Sequence, residues 1–146
     1  MMIKILTVLC CFMLLVACGS LTALESEQLS EKERGDISSR MVNLSRIVDT
    51  YFSTLSVPPT EQDEVIINKA LENSSDSIDT KFDNYQLHTL YQQGFAVVLL
   101  CDKDDKQALM EDAGCSAGVD KQIRQPADCK FTLRVAKGCH VEGGDL

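Results

Sequence analysis

The apolar positions between residues 36 and 55 recur with the period of an α-helix. The members of this stripe are Ile37, Met41, Leu44, Val48, Tyr51 and Leu55. They follow one another at steps of four, three, four, three and four residues, a spacing that places side chains on one face of a helix. Pro58 and Pro59 follow, and neither can donate a helical backbone hydrogen bond. The pattern predicts a first helix over 36–55 that packs on a core through this face.

Two more helices are predicted before residue 95. Thr60 can cap the second, whose apolar face would hold Ile66, Ile67, Ala70 and Leu71. The third is predicted to run from residue 79 or 80 to Gln93, since Gly94 then supplies the glycine that follows many helices. This assignment puts His88 on the surface of a helix.

The segment from 95 onward has the character of strands. Residues 95–101 are seven consecutive apolar residues rich in strand formers, which predicts a buried strand. A polar turn at 102–106 can lead back into a second strand at 107–112. A loop over 114–128 would connect to a third strand at 130–135. The sequence therefore predicts an α+β fold of about three N-terminal helices followed by a small three-stranded antiparallel sheet tied by two disulfides.

The N-terminus has the layout of a signal peptide. Lys4 precedes residues 5–17, an apolar run in which only Thr7 is distinctly polar. A membrane-spanning helix needs about 20 apolar residues. The run is shorter than that and gives way to polar sequence, so we expect it to be removed from the mature chain.

This segment ends in Leu15-Val16-Ala17-Cys18, and in that respect it resembles bacterial lipoprotein precursors. The resemblance implies cleavage before Cys18, a diacylglycerol on the Cys18 thiol and a further acyl chain on its amine. Two or more acyl chains give lasting membrane attachment. The residue after the cysteine, Gly19, points to the outer membrane, facing the periplasm. An alternative is ordinary signal cleavage at a small-residue site, which would release a soluble secreted protein.

Composition and the lipoprotein resemblance together suggest a domain organisation. The formal charge of the 146-residue chain is −8, which argues against nucleic acid as a partner because nucleic-acid binding needs clustered Lys and Arg. We expect a signal peptide over 1–17, a lipidated N-terminus and tether over 18–35, a single α+β domain over 36–141 and a tail over 142–146. That length suffices for one modest core.

Four cysteines follow Cys18, and they are Cys101, Cys115, Cys129 and Cys139. An even number in an exported chain predicts two disulfides. The gaps of 14, 14 and 10 residues lack the close cysteine pairs typical of zinc sites, so no metal and no cofactor is predicted. If the three strands run up, down and up, Cys115 and Cys129 meet at one end of the sheet and Cys101 and Cys139 at the other. The predicted pairs are Cys115 with Cys129 and Cys101 with Cys139.

No catalytic arrangement is visible in the sequence. The two histidines, His88 and His140, are 52 residues apart, and each cysteine after Cys18 is better used as a bridge. We therefore expect a non-enzymatic, membrane-anchored envelope lipoprotein that binds a protein partner. Two alternatives stay open: an inhibitor of a cationic hydrolase such as a lysozyme, and an enzyme whose site combines scattered Asp and Glu residues.

Overall fold

The computed structural model describes residues 30–74 and 82–143, which lie in or directly before the compact unit Glu31–Leu146. The predicted signal peptide, Cys18 and most of the predicted tether are outside the described residues. Within the described part, the chain forms helix α1, Glu31–Ser53, and helix α2, Asp63–Glu72. Neither of these two helices is long and apolar enough to cross a membrane.

Helix α1 confirms the predicted stripe at Ile37, Met41, Leu44 and Val48, whereas Tyr51 is only half-buried and Leu55 lies beyond the end of the helix. Its buried apolar residues are Ile37, Met41, Leu44, Val48 and Phe52. The helix begins five residues before the predicted start, so residues 31–35 of the predicted tether are helical. Glu31 and Glu33 lie in its first turn, where negative charge is favoured by the helix dipole.

The strands form two separate sheets. In chain order they are β1 Tyr85–Gln92, β2 Phe95–Asp102, β3 Ala108–Ala113, β4 Lys121–Gln122, β5 Arg134–Ala136 and β6 His140–Glu142. The first four make an antiparallel sheet in the order β1-β2-β3-β4, and β5 pairs with β6 in a two-stranded antiparallel sheet. The predicted fold of three helices and a three-stranded sheet is therefore wrong, because the described residues hold two helices and these two sheets.

The predicted third helix is replaced by strand β1. Its predicted start at 79 or 80 lies outside the described residues, but Tyr85–Gln92 pairs with β2 along its whole length. Gln93 and Gly94 join the two strands with φ angles of 52° and 95°. Two consecutive positive φ angles match the tight turn that suits the twist of a β-hairpin. Gly94 is thus a hairpin glycine, whereas the sequence pattern indicated the end of a helix.

Strand β2 lies at the centre of the domain and is buried on both faces. Val97 packs with the C-terminal residues Leu133 and Val135, and Leu99 lies on the same face of the strand. Successive side chains on a strand point to opposite faces, so Ala96, Val98 and Leu100 point toward the helix layer, where α1 contacts β2. All seven of these residues are at most 3% exposed. This double burial explains the uninterrupted apolar run.

Residues 130–135 were predicted as a third strand of the main sheet, and this prediction is wrong. The segment crosses the face of the sheet opposite α1, with Leu133 and Val135 buried against Val97. The Gln92 side chain holds it there: Nε2 donates to Leu133 O at 3.1 Å and Oε1 accepts from Val135 N at 2.8 Å. The side-chain amide of Gln92 therefore bonds the backbone of this segment as a neighbouring strand would.

Candidate functional site

The four described cysteines form two disulfides, as predicted, but with a different pairing. Cys101 pairs with Cys129 at a Cα–Cα distance of 5.7 Å, and Cys115 pairs with Cys139 at 5.9 Å. The predicted pairs, Cys115 with Cys129 and Cys101 with Cys139, assumed a third strand beside the second. Because the C-terminal segment instead crosses the face of the sheet, it brings Cys129 over β2 and Cys139 near the end of β3.

His88 lies beside the Cys101–Cys129 disulfide and between two carboxylates. It projects from β1 instead of a helix surface, and its partner in the ladder is Leu99 of β2. Its Nδ1 is 3.0 Å from Asp63 Oδ2, and its Nε2 is 2.6 Å from Asp105 Oδ1. Both ring nitrogens are therefore engaged, one by the start of α2 and the other by the turn between β2 and β3.

Asp63 is held in place independently of the histidine. It is the first residue of α2, and its Oδ1 accepts hydrogen bonds from Thr89 N and Thr89 Oγ1, both at 2.8 Å. Among the described residues β1 is the edge strand of its sheet, and the Thr89 amide lies on its outer edge. One carboxylate oxygen thus caps this edge of the sheet, and the other orients the imidazole of His88.

The electrostatics of this arrangement favour a protonated histidine. Burial lowers the pKa of His88, but hydrogen bonds and charge from Asp105 and Asp63 outweigh it, so the pKa is raised from its usual value of 6.5. The side chain of His88 is 29% exposed and that of Asp105 is 52% exposed. The site is consequently open to solvent on the Asp105 side.

Four side chains at this point have atoms that ligate metals. The Nε2 or Nδ1 of His88, a carboxylate oxygen of Asp105 and the sulfurs of Cys101 and Cys129 all lie within 4.8 Å of one another. It is the only such group of three or more His, Cys, Asp or Glu side chains in the described part of the chain. In this structure both sulfurs are tied in the disulfide, so the group offers one histidine and one carboxylate for coordination.

Among the described residues, two carboxyl groups, those of Asp112 and Asp49, have raised pKa values, and both accept hydrogen bonds within the domain. Burial raises the pKa of Asp112 to about 7, although the hydrogen bond from Ser45 acts to lower it. Burial also raises the pKa of Asp49. Asp112 is 1% exposed and bonds Ser45 Oγ and Asp120 N, while Asp49 accepts from Ala96 N at 2.7 Å. A surface depression of about 710 Å³ between β1 and the β5–β6 hairpin contains neither carboxyl. Neither acid lines this depression or the one between α1 and residues 82–85.

The sequence identified the cysteines of this site but missed its histidine and acids. His88 was predicted on a helix, and Asp105 was assigned to a solvated turn. Asp63 is 25 residues before His88, and Asp105 is 17 residues after it. No local pattern connects residues so far apart, and only the register of β1 against β2 brings them together. Cys18, the predicted lipidation site, is outside the described range. His140, for which no role was predicted, lies on the surface with its Nε2 3.6 Å from Glu142 Oε1.

Comparison with known proteins returns no relative: no protein-family model matches the chain, and no curated protein or solved structure is similar to it.

Proposed function

We propose that the chain is a lipoprotein of the bacterial cell envelope, anchored through lipid on Cys18 in the outer membrane and facing the periplasm. Its domain acts there as a non-enzymatic binding or accessory protein for another envelope protein. Residues 5–17 and the motif Leu15-Val16-Ala17-Cys18 support the anchor. The folded part of the chain supports the anchor because its four cysteines are all bonded in disulfides.

The observation that carries the proposal is the closed pairing of the four later cysteines. Cys101 is bonded to Cys129 and Cys115 to Cys139, so none of them is available as a partner for Cys18. Disulfides persist in exported proteins and are rare in the cytosol. An exported chain with one cysteine left over, directly after a signal peptide, fits a cysteine that is consumed by lipid.

The non-enzymatic role rests on how the perturbed side chains are used. Asp112 and Asp49 are engaged inside the domain by Ser45 and by the Ala96 amide. His88 is held from both sides by Asp63 and Asp105. These side chains are all held by contacts within the protein, whereas a general base needs a free lone pair within reach of substrate.

The alternative of an inhibitor for a cationic hydrolase has less support. It needs exposed acids that are free to meet a basic cleft. In the turn between β2 and β3, Asp104 lies 3.8 Å from Lys106 and Asp105 lies against His88, and nearby Asp128 pairs with Lys130 at 2.8 Å. Because these charges are balanced within the chain, they offer a weak attraction to a cationic partner.

The anchor is tested by Cys18→Ser with Cys11→Ser as the matched control, since both cysteines lie in or beside the same apolar segment. We expect the wild-type chain and Cys11→Ser to fractionate with membranes, to incorporate labelled palmitate and to need detergent for extraction. Cys18→Ser should lose the label, because the proposal places the acyl chains on residue 18 alone. A palmitate signal that survives in Cys18→Ser, or a wild-type chain released in unlipidated form, would contradict the anchor.

The binding role is tested by affinity capture from detergent-solubilised envelopes. The native chain is prepared with an affinity tag at one of two different positions. We expect both tagged forms to recover the same envelope protein in comparable amounts. A chain whose two disulfides have been reduced and alkylated should lose it, because recognition depends on the folded domain. Repeated capture that yields no partner, or yields the same proteins with the alkylated chain, would count against the proposal.

A further inference from the structure

We propose that the Cys101–Cys129 disulfide is a redox gate over a zinc site: when it is reduced, the chain binds one Zn²⁺ through His88, Asp105 and the two cysteine thiolates. This inference goes beyond the anchored binding role and does not depend on it. It stands on the geometry around His88, where four side chains of the right chemistry meet although the sequence separates them widely.

The ligand set matches the preferences of zinc. Zn²⁺ takes four ligands in a tetrahedron, with cysteine sulfur at about 2.3 Å and histidine nitrogen or carboxylate oxygen at about 2.0 to 2.2 Å. Two sulfurs in such a site are about 3.8 Å apart. The Cα atoms of Cys101 and Cys129 are 5.7 Å apart, so rotation of the freed side chains provides that separation without moving the backbone.

The two remaining ligands already face each other at the same point. His88 Nε2 and Asp105 Oδ1 are 2.6 Å apart, and Asp105 Oδ1 lies 3.2 Å from the sulfur of Cys129. In the oxidised chain a proton bridges the histidine and the carboxylate. In the reduced chain Zn²⁺ takes the place of that proton, and small side-chain movements open the distance to that required by coordination.

Asp63 supplies the outer support that histidine ligands in metal sites need. A histidine that binds a metal through one nitrogen donates its other N–H to a carboxylate or carbonyl, which fixes the ring and strengthens the bond. His88 Nδ1 lies 3.0 Å from Asp63 Oδ2, and Asp63 is itself fixed by two bonds from Thr89. The ring of His88 is therefore oriented with Nε2 toward the disulfide before any metal arrives.

The redox step balances with a thiol reductant. Two thiols of the reductant are oxidised to one disulfide, and the Cys101–Cys129 bond accepts the two electrons and two protons. Zn²⁺ then displaces these two thiol protons, and the proton between His88 and Asp105, into solvent as the thiolates, the imidazole and the carboxylate bind. Because the metal binds the reduced form and not the disulfide, zinc makes this bond easier to reduce.

The Cys115–Cys139 disulfide is an internal reference for this behaviour. It has a similar Cα–Cα distance of 5.9 Å, and His140 follows it directly in sequence. In the described residues, however, no metal-ligating group of three or more side chains surrounds it. The proposed zinc site is therefore specific to one of the two disulfides.

The test measures each disulfide separately in the folded chain. The membrane-extracted protein is equilibrated in glutathione buffers of increasing reducing strength, with free Zn²⁺ fixed by a chelator buffer or absent, and alkylated for peptide mass mapping. At free Zn²⁺ ten times its dissociation constant, the equilibrium constant for reducing Cys101–Cys129 should rise about tenfold. That for Cys115–Cys139 should not change.

Variants separate a built site from adventitious thiol binding. His88→Gln should abolish the zinc effect, while His140→Gln should retain it. Asp63→Asn keeps all four ligands and should weaken zinc binding by about 10- to 100-fold, and the unchanged reduction midpoint of Cys115–Cys139 reports that each variant is folded. The proposal is overturned if zinc shifts both disulfides equally, if it shifts neither, or if His88→Gln responds as the wild type does.

Discussion

The carboxylate of Glu111 accepts two hydrogen bonds from Thr132, one from its backbone N–H and one from its hydroxyl, both at 2.8 Å. The same carboxylate accepts a third bond from Leu133 N at 2.9 Å, and Lys121 donates to Thr132 Oγ1 at 2.8 Å. Glu111 is completely buried. This network fastens the C-terminal segment to the face of the sheet, and with it the two cysteines that close the disulfides.

Replacing Glu111 should therefore destabilise the domain in a graded way. In Glu111→Ala the amides of Thr132 and Leu133 lose their acceptor inside the protein, and we expect a loss of about 3 kcal/mol or more in the free energy of unfolding. Glu111→Gln keeps one acceptor oxygen and should lose about 1 to 2 kcal/mol. Urea denaturation measures both values, and equal losses in the two variants would contradict the network.

Gly114 allows the end of β3 to approach helix α1. A Cβ atom at this position would lie 2.1 Å from Ser45 O and 2.5 Å from Asp49 Cβ. Gly114→Ala should lower the free energy of unfolding by about 1 to 3 kcal/mol, since helix α1 must move away from the new methyl group. Gly118→Ala is the control, because a Cβ there meets nothing within 4 Å. Denaturation midpoints that fall equally in both variants would refute the close approach.

The pairing of the cysteines can be tested with single substitutions. In Cys101→Ser, the free thiol should map to Cys129 while Cys115 and Cys139 stay bonded. A free thiol on Cys139 would instead indicate the pairing that the sequence pattern predicted. The loops are of similar size, with separations of 28 and 24 residues, so removing either bridge should cost about 3.5 kcal/mol of stability.

Asp112 should make the stability of the domain depend on pH. Burial raises its pKa from 3.8 to about 7, so the folded chain binds more protons than the unfolded chain between these values. The stability that Asp112 contributes is then fully present below about pH 4 and is lost as the pH rises toward 7, by up to a few kcal/mol. The fall should be smaller in Asp112→Asn, whose amide resembles the protonated acid. Denaturation at pH 4.5, 6 and 8 measures it, and an unchanged fall in the variant would contradict the assignment.

The elements that the sequence predicted well are those whose pattern is local. The stripe on α1 needs only the helical period, and the apolar run of β2 needs only burial on both sides. Strand β1 was missed because Leu87, Leu90 and Tyr91 also fit a helix. The strand forms instead of the helix because β2 needs a hydrogen-bonded strand along each of its edges. This is an effect of tertiary structure and not of the local sequence.

The candidate site was predictable only in part, for the same reason. Two disulfides follow from the number of cysteines, but their pairing follows from the path of residues 130–135, which is fixed by Glu111 and Gln92 and not by strand alternation. No sequence spacing typical of a binding or catalytic site connects His88, Asp63 and Asp105. Their proximity depends on the β1–β2 register and on α2 beginning at the edge of β1.

The mass of the intact protein extracted from membranes, measured before and after reduction, tests the proposed function most directly. We predict a chain that begins at Cys18 and carries a diacylglycerol with a further acyl chain, and that gains four hydrogens on reduction because two disulfides open. An unmodified chain recovered without detergent, or one with a free thiol at Cys18, would contradict the account.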